Sequence, residues 1–153
     1  MANYFLDTSA FAKRYHPEVG TPAVMAIFAE SARTVRISTL TLLEVQSVFA
    51  MKVRSGVITR AQAGGLRARM LLDMAADEFQ VFGLSADHFG AAERLLGRHS
   101  FMRRLRTLDA LQLAVALDLS EQGFLDHFVA ADKALAEVAA VEGLSVRDPE
   151  AAP

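Results

Sequence analysis

The feature of this sequence that most constrains its fold is a regular alternation of short β-like runs with longer helical ones. The β-like runs are Asn3–Leu6, Val35–Ser38, Gln80–Leu84 and His127–Ala130, with a possible fifth at Leu144–Val146. This alternation is typical of a parallel sheet whose strands are connected by helices. We therefore predict an α/β fold with a parallel sheet of four to five strands flanked by helices.

Length and composition indicate a single domain. The chain has 153 residues, of which 52% are hydrophobic, and a chain of this size buries roughly two thirds of its unfolded surface in one core. We assign residues 1–147 to the domain and expect the small, polar tail 148–153 to be frayed. Cysteine is absent, which excludes disulfides, thiolate metal sites and a cysteine nucleophile.

Charge and hydropathy limit the possible partners. Lysine and arginine total 16 against 18 acidic residues, for a net charge of -2, so any site for a polyanion must be a local basic patch. The N-terminus lacks the pattern of a signal peptide. The apolar run Ala110–Leu117 is far shorter than the about 20 residues that span a bilayer. We therefore expect a soluble, cytoplasmic protein with no membrane partner.

Two acidic residues follow predicted strands. Asp7 comes directly after the apolar run YFL, and Asp132 closely follows the run His127–Ala130. In an open parallel sheet, ligands bind outside the carboxyl ends of the strands. We therefore expect both carboxylates to lie at the same edge of the sheet.

Two further acidic residues stand among apolar neighbours. Glu44, in LTLLEVQSVFAM, shares a helical face with Leu40 and Val48, which would draw it partly inward. Asp109, in RTLDALQLAVAL, lies in the first turn of a helix that is apolar almost all round. Such a helix belongs in the core, so we expect Asp109 to point towards the rim where the strands end.

Each of these acids also has an ordinary structural interpretation. Asp7 is a candidate helix N-cap, Asp109 is favoured by the helix dipole, Glu44 could pair with a basic residue, and Asp132 could begin the last helix. The coincidence of four acids at the ends of apolar segments favours a functional cluster, because three of them have no adjacent lysine or arginine. Carboxylates gathered without cationic partners imply a bound cation.

Oxygen ligands of this kind favour Mg²⁺ or Mn²⁺ over Zn²⁺. The four histidines show no metal-binding spacing; they are His16, His88, His99 and His127. A carboxylate-held Mg²⁺ keeps several water ligands and can activate one of them against a phosphodiester. The acids therefore predict a magnesium site suited to phosphodiester hydrolysis.

Four stretches of the chain together resemble a known family. They are FLDTSAFAKRY, ISTLTLLEVQSVF, RTLDALQLAVAL and FVAADKALAEVA. With their acids in the order D, E, D, D, they resemble the motifs of PIN-domain proteins, most closely the VapC-like ribonuclease toxins of type II toxin–antitoxin pairs. The resemblance covers nearly the whole chain.

The resemblance implies a set of site residues and partners. By resemblance, the acidic quartet that is both catalytic and metal-binding is Asp7, Glu44, Asp109 and Asp132. Asp7 and Asp109 would be the most direct Mg²⁺ ligands, and Ser9 would orient the site through its hydroxyl. The family often has Thr or Ser at the position of Ala130, which reduces the weight on Asp132 as a ligand. The resemblance also implies a homodimer and a small antitoxin that blocks the site.

Basic residues near the predicted site could bind RNA phosphates. One strip precedes Asp109 and consists of Arg98, Arg103, Arg104 and Arg106. A solvated loop is the alternative interpretation of this strip. A second group could serve RNA, dimer contacts or solubility, and consists of Lys52, Arg54, Arg60, Arg67 and Arg69.

The sequence thus predicts a Mg²⁺-dependent endoribonuclease that cleaves by in-line attack of a metal-activated water. One alternative is a non-catalytic PIN-like module that binds RNA or a protein partner. Another is an aspartyl-phosphate enzyme with Asp7 as nucleophile, but the DxDxT pattern of that class requires a second Asp at the position of Ser9.

Overall fold

The computed structural model describes residues 1–151, which form a parallel five-stranded sheet flanked by helices. The strands are β1 (Ala2–Leu6), β2 (Arg33–Ser38), β3 (Gln80–Phe82), β4 (His127–Val129) and β5 (Val146–Arg147). The helices are α1 (Thr8–Phe11), α2 (Thr21–Ala29), α3 (Thr39–Arg54), α4 (Arg60–Ala75), α5 (Ala86–His99), α6 (Thr107–Glu121) and α7 (Lys133–Val141), with a 3-10 turn at Ala12–Arg14. The predicted α/β fold is confirmed.

The strand order, β3-β2-β1-β4-β5, places β1 at the centre of the sheet. The chain runs outward from β1 through β2 to β3 and then returns to β4 on the other side of β1. Leu6 pairs with Val129, so the ends of β1 and β4 lie side by side. The strand order therefore reverses at the carboxyl ends of β1 and β4, where open α/β sheets bind their ligands.

Apolar layers on both faces hold the sheet. Phe5 is buried with residues of α5, α6 and α7, and its ring stacks on Phe128 with centroids 5.9 Å apart. Tyr4 and Leu6, its neighbours along β1, are buried with residues of α1 to α4. This alternation follows the two-residue period of a strand. Because both faces of β1 are packed in this way, the position of Asp7 at its end is fixed.

Helix α6 is the core helix that its composition predicts. Every residue from 109 to 116 is buried, and the helix packs extensively against α5. Since α6 is enclosed by apolar neighbours, the position of its first turn is fixed by the core. Within residues 1–151, no helix is both long enough and apolar enough to cross a bilayer.

All five strands differ from their predicted bounds; β1, β2, β3 and β4 differ by one or two residues at one end, and β5 differs at both ends. β3 ends at Phe82 because it pairs with Ser38, the last residue of β2, beyond which β2 has no residue to offer. Leu144 is not part of β5, since its amide donates to the carbonyl of Ala139 and so closes the end of α7. Its apolar side chain joins the core from that position.

The frayed tail predicted from residue 148 is wrong for residues 148–151. Pro149 is buried, and the carboxylate of Glu150 lies 2.6 Å from Nζ of Lys13. The side chain of Lys13 is 5% exposed, and a buried ammonium requires anionic partners. The contact therefore ties the tail to the domain, while residues 152 and 153 lie outside the described residues.

Candidate active site

The structure brings the four predicted acids to one cavity at the carboxyl edge of the sheet. The cavity has a volume of about 610 Å³, and its lining includes Asp7, Glu44, Asp109 and Asp132. Each acid comes from a different part of the fold: the end of β1, the middle of α3, the first turn of α6 and the loop after β4. We call this the acidic cavity.

Asp7 is a buried carboxylate with neutral hydrogen-bond donors. It caps α1, accepting from the backbone N–H of Ala10 at 3.0 Å, and it accepts from Oγ of Ser9 at 2.7 Å. Burial raises the pKa of Asp7 to about 7 against the opposing effect of these hydrogen bonds, and the charge of Asp109 adds to the increase. The ionised form of Asp7 therefore lacks a compensating positive charge.

Ser9 connects the two strand ends that meet at the acidic cavity. Its hydroxyl donates to Asp7 and accepts from the backbone N–H groups of Ala131, at 2.9 Å, and Asp132, at 3.3 Å. The loop after β4 is thereby held against the end of β1. The orienting role that the resemblance implies for Ser9 stays a prediction.

Glu44 is held by a buried network of neutral side chains. Its Oε1 accepts from Oγ1 of Thr8 at 3.1 Å and from Nε2 of Gln112 at 3.0 Å. Gln112 is 1% exposed, and its Oε1 accepts from Oγ of Ser38 at 2.7 Å. Sequence reasoning missed Gln112, although an amide within the apolar run of α6 was a usable signal, because a buried amide must find partners.

Asp109 and Asp132 share one cationic partner, Arg106. Nε of Arg106 donates to Oδ2 of Asp109 at 2.9 Å, and its Nη2 lies 3.5 Å from Oδ2 of Asp132. The expectation that the cluster lacks cationic partners is therefore wrong for these two acids. Arg106 is the N-cap residue of α6, and from there its long side chain reaches both carboxylates.

Helix capping and cavity lining coincide at two of the acids. Asp132 caps α7 by accepting from the backbone N–H of Leu135 at 3.0 Å, as Asp7 caps α1. Capping uses one carboxylate oxygen of each residue, Oδ1 in both cases. The prediction that Asp7 and Asp132 begin helices as N-cap residues is thus correct. The cap does not use Oδ2 of either residue.

The four arginines predicted to bind RNA differ in their surroundings. Arg106 lines the acidic cavity, whereas Arg98 donates to both carboxylate oxygens of Glu142 at 2.7 and 2.8 Å. Arg98 lines a second cavity of about 330 Å³ between α5 and α6. Arg103 and Arg104 lie in the loop between these helices and form no ion pair among the described residues.

The chemistry of the donor set fits a hard divalent cation. Among residues 1–151, no three His, Asp or Glu side chains are gathered closely enough to form a ready metal-binding group. The lining of the cavity nevertheless includes the four predicted carboxylates. Burial raises the pKa of one of them, Asp7, and a bound cation would favour the ionised form of that acid.

Comparison with known protein families assigns the chain. The family model described as the PIN domain matches residues 4–141. This chain belongs to the PIN-domain family. The family resemblance predicted from the four acidic motifs is thereby confirmed, and no protein with a curated description matches the sequence.

Solved structures similar to this PIN domain include VapC toxins. VapC20 from Mycobacterium tuberculosis, described as a toxin that cleaves the sarcin-ricin loop, is 21% identical with a TM-score of 0.67, over 98% of this chain and 99% of that one. FitAcB from Neisseria gonorrhoeae is 16% identical with a TM-score of 0.64, over 95% and 97%. VapBC2 from Rickettsia felis, bound to a promoter DNA fragment, is 17% identical with a TM-score of 0.59, over 95% and 97%. At these identities the likeness concerns the fold.

Proposed function

We propose that this PIN domain is a metal-dependent endoribonuclease and the toxin component of a toxin–antitoxin pair. The observation that carries the proposal is the acidic cavity, where four separate elements contribute carboxylates at the point of strand-order reversal. Two of these acids, Asp7 and Glu44, have only neutral hydrogen-bond donors in the described structure. Such a site attracts cations and repels bare phosphates, so a bound cation is needed to bring RNA to it.

The carboxylates would hold Mg²⁺, or Mn²⁺, with Asp7 and Asp109 as the principal ligands and Glu44 and Asp132 supporting them. When bound, the ion supplies Lewis acidity towards a phosphate oxygen and lowers the pKa of a water ligand. Hydrolysis would join a water oxygen to phosphorus and break the bond from phosphorus to the leaving ribose oxygen, which would take up a proton. Ser9 and Gln112 orient Asp7 and Glu44 for this task.

We infer that Arg103 and Arg104 contact the RNA backbone. Both lie in the loop that leads into α6, a few residues before Asp109. Lys52 and Arg54, at the end of α3, line the acidic cavity itself. Arg54 offers further positive charge, whereas Lys52 is paired with Glu18 at 3.0 Å. Arg98 is assigned a smaller part, because Glu142 already neutralises it.

The proposed partners are a small antitoxin, which blocks the acidic cavity, and a second copy of the chain. The likeness to VapBC2, whose structure contains promoter DNA, supports a cognate partner that links the toxin to DNA. Apolar side chains on α3 and α4 offer a surface for either partner, since Leu43 and Leu72 are 68% and 70% exposed. We place the pair in the cytoplasm, where its RNA substrate is found.

A non-catalytic PIN-like module that binds RNA or protein is the second candidate. Two observations favour it: Arg106 pairs with both Asp109 and Asp132, and the described residues contain no ready metal-binding group. The two candidates differ in whether the acids are needed for RNA cleavage.

The test is a cleavage assay on structured RNAs, including a sarcin-ricin loop RNA, with Mg²⁺ and with EDTA. Asp7→Asn should reduce cleavage by roughly 10²–10³-fold, the usual cost of removing a central electrostatic group. Asp118→Asn is the matched control, since Asp118 lies in the second cavity and pairs with His88. Absence of EDTA-sensitive cleavage by the wild type, or near-normal cleavage by Asp7→Asn, would favour the binding module.

A further inference from the structure

We propose that Arg106 is an internal counter-cation that holds Asp109 and Asp132 when no metal is bound and competes with the divalent cation for them. The inference rests on the proposed function, because it concerns metal binding at the acidic cavity. It assigns Arg106 a role at the metal site that the neighbouring Arg103 and Arg104, predicted with it to bind RNA, do not share.

The contact geometry carries the inference. One guanidinium joins carboxylates from two separate elements, Oδ2 of Asp109 at 2.9 Å and Oδ2 of Asp132 at 3.5 Å. Since Oδ1 of Asp132 is used in capping α7, Oδ2 is the oxygen that this residue has left for a cation. Arg106 therefore occupies the position on Asp132 that a metal ion would need.

Simultaneous occupation by Arg106 and a divalent cation is unfavourable. Charges of the same sign a few ångströms apart repel strongly in a partly buried site, where screening by water is reduced. Asp109 is only 8% exposed. A cation bound to its carboxylate would lie within a few ångströms of the Arg106 guanidinium. Metal binding should therefore displace the side chain of Arg106 from the two acids.

Displacement of Arg106 is feasible because the side chain is weakly held. It is 57% exposed, and ion pairs of such exposed side chains contribute little to stability. Once released, a guanidinium at the rim of the cavity is suited to contact a phosphate of the incoming RNA. The exchange would thus clear the metal site and provide a phosphate contact in one movement.

The test compares Arg106→Gln with Arg103→Gln, which removes the same charge from the same loop without breaking an ion pair of the described structure. Binding of Mn²⁺, alone and in the absence of RNA, is measured by calorimetry and by the electron paramagnetic resonance of free Mn²⁺. Arg106→Gln should bind Mn²⁺ roughly fivefold more tightly than wild type, which corresponds to the loss of an exposed ion pair. Arg103→Gln should stay within about twofold of wild type.

Two results would overturn the inference. If Arg106→Gln binds Mn²⁺ no more tightly than Arg103→Gln, while wild type binds Mn²⁺ and cleaves RNA, the competing role fails and the proposed function stands. If wild type neither binds Mn²⁺ nor cleaves RNA, both fail together.

Thermal melting in EDTA confirms that each variant is folded. Arg106→Lys keeps the charge but cannot form the forked interaction, so it should bind Mn²⁺ with intermediate affinity.

Discussion

The acidic cavity and the cavity between α5 and α6 both contain carboxylates, but they differ in the partners that they give to individual acids. In the cavity between α5 and α6, Asp118 lies 2.9 Å from Nε2 of His88, and Glu142 lies 2.7 Å from Nη1 of Arg98. In the acidic cavity, Asp7 has a hydroxyl and a backbone amide as donors. The cavity between α5 and α6 thus pairs each of these two acids with a basic side chain, whereas the acidic cavity leaves Asp7 without one.

The pKa values express the same difference. The hydrogen bond from His88 lowers the pKa of Asp118. For Glu142, burial acts to raise the pKa, but hydrogen bonds from His99 and Arg98 lower it overall. Burial raises the pKa of Asp7 to about 7. A lowered pKa marks a carboxylate that the fold has already compensated, and a raised one marks a carboxylate that still lacks a positive partner.

The strongest test of this comparison is the pH dependence of stability without metal. The pKa of Asp7 is about 7 in the folded chain against an ordinary 3.8, so the folded state binds the extra proton between these values. Stability should then fall as the pH rises from about 4 to 7, by at most about 4 kcal/mol for a shift of this size. Asp7→Asn removes this loss and should melt higher than wild type in EDTA at pH 7.5.

For Asp118, the expected change of stability with pH has the opposite sign, and Asp118→Asn tests it. Because the folded-state pKa of Asp118 is lowered, its contribution is present above the unfolded pKa and disappears as the pH falls through the folded pKa. This variant should therefore melt below wild type at pH 7.5 and converge with it in acid. Asparagine is a good N-cap, so Asp7→Asn retains the capping of α1, and lower stability of this variant at pH 7.5 would contradict the comparison.

A second test concerns the neutral network that holds Glu44. Gln112→Leu keeps approximate volume but removes the Nε2 amide, whose two N–H groups are shared among three oxygens, including Oε1 of Glu44 at 3.0 Å. Loss of an orienting interaction of this kind should reduce RNA cleavage or Mn²⁺ affinity by roughly 10–100-fold. The unsatisfied partners should also reduce stability by about 1–3 kcal/mol, so activity is measured well below the melting temperature of the variant.

The matched control is Gln122→Leu. Gln122 donates to Oδ1 of Asp118 at 2.8 Å and thus supports an acid of the other cavity from an exposed position. Its replacement should leave cleavage and Mn²⁺ affinity unchanged. If Gln112→Leu folds and retains wild-type Mn²⁺ affinity and cleavage, the network is structural and Glu44 needs no orientation.

The fold could be predicted from the sequence because its signals are local. The apolar character of α6 and the short β-like runs are properties of neighbouring residues, and they placed Asp109 and Asp7 at element ends. The contacts of Arg106 and Gln112 could not be predicted in this way. They depend on the directions of side chains from separate elements, which tertiary packing fixes. Gln112 of α6, for example, accepts a hydrogen bond from Ser38 of β2, which is 74 residues away in sequence.

The smallest expected effect concerns the basic residues, and it extends the comparison to RNA binding. Arg98 is neutralised by Glu142 in the second cavity. Arg103 and Arg104 form no ion pair among residues 1–151, and they closely precede Arg106, which lines the acidic cavity. A basic side chain already paired with a carboxylate releases few counterions when RNA binds. The three arginines should therefore differ in their effect on the salt dependence of RNA affinity.

Double replacement of Arg103 and Arg104 by Gln should weaken the binding of unrelated RNAs similarly, by a few-fold. It should also flatten the plot of log affinity against log salt by about one unit for each phosphate that the variant no longer neutralises. Arg98→Gln should leave the slope unchanged, although it removes a charge of the same sign. Binding is measured by fluorescence anisotropy in EDTA, which prevents cleavage. Equal slopes for all variants would place Arg103 and Arg104 in an ordinary solvated loop, and a flattened slope for Arg98→Gln would show that its ion pair with Glu142 opens on RNA binding.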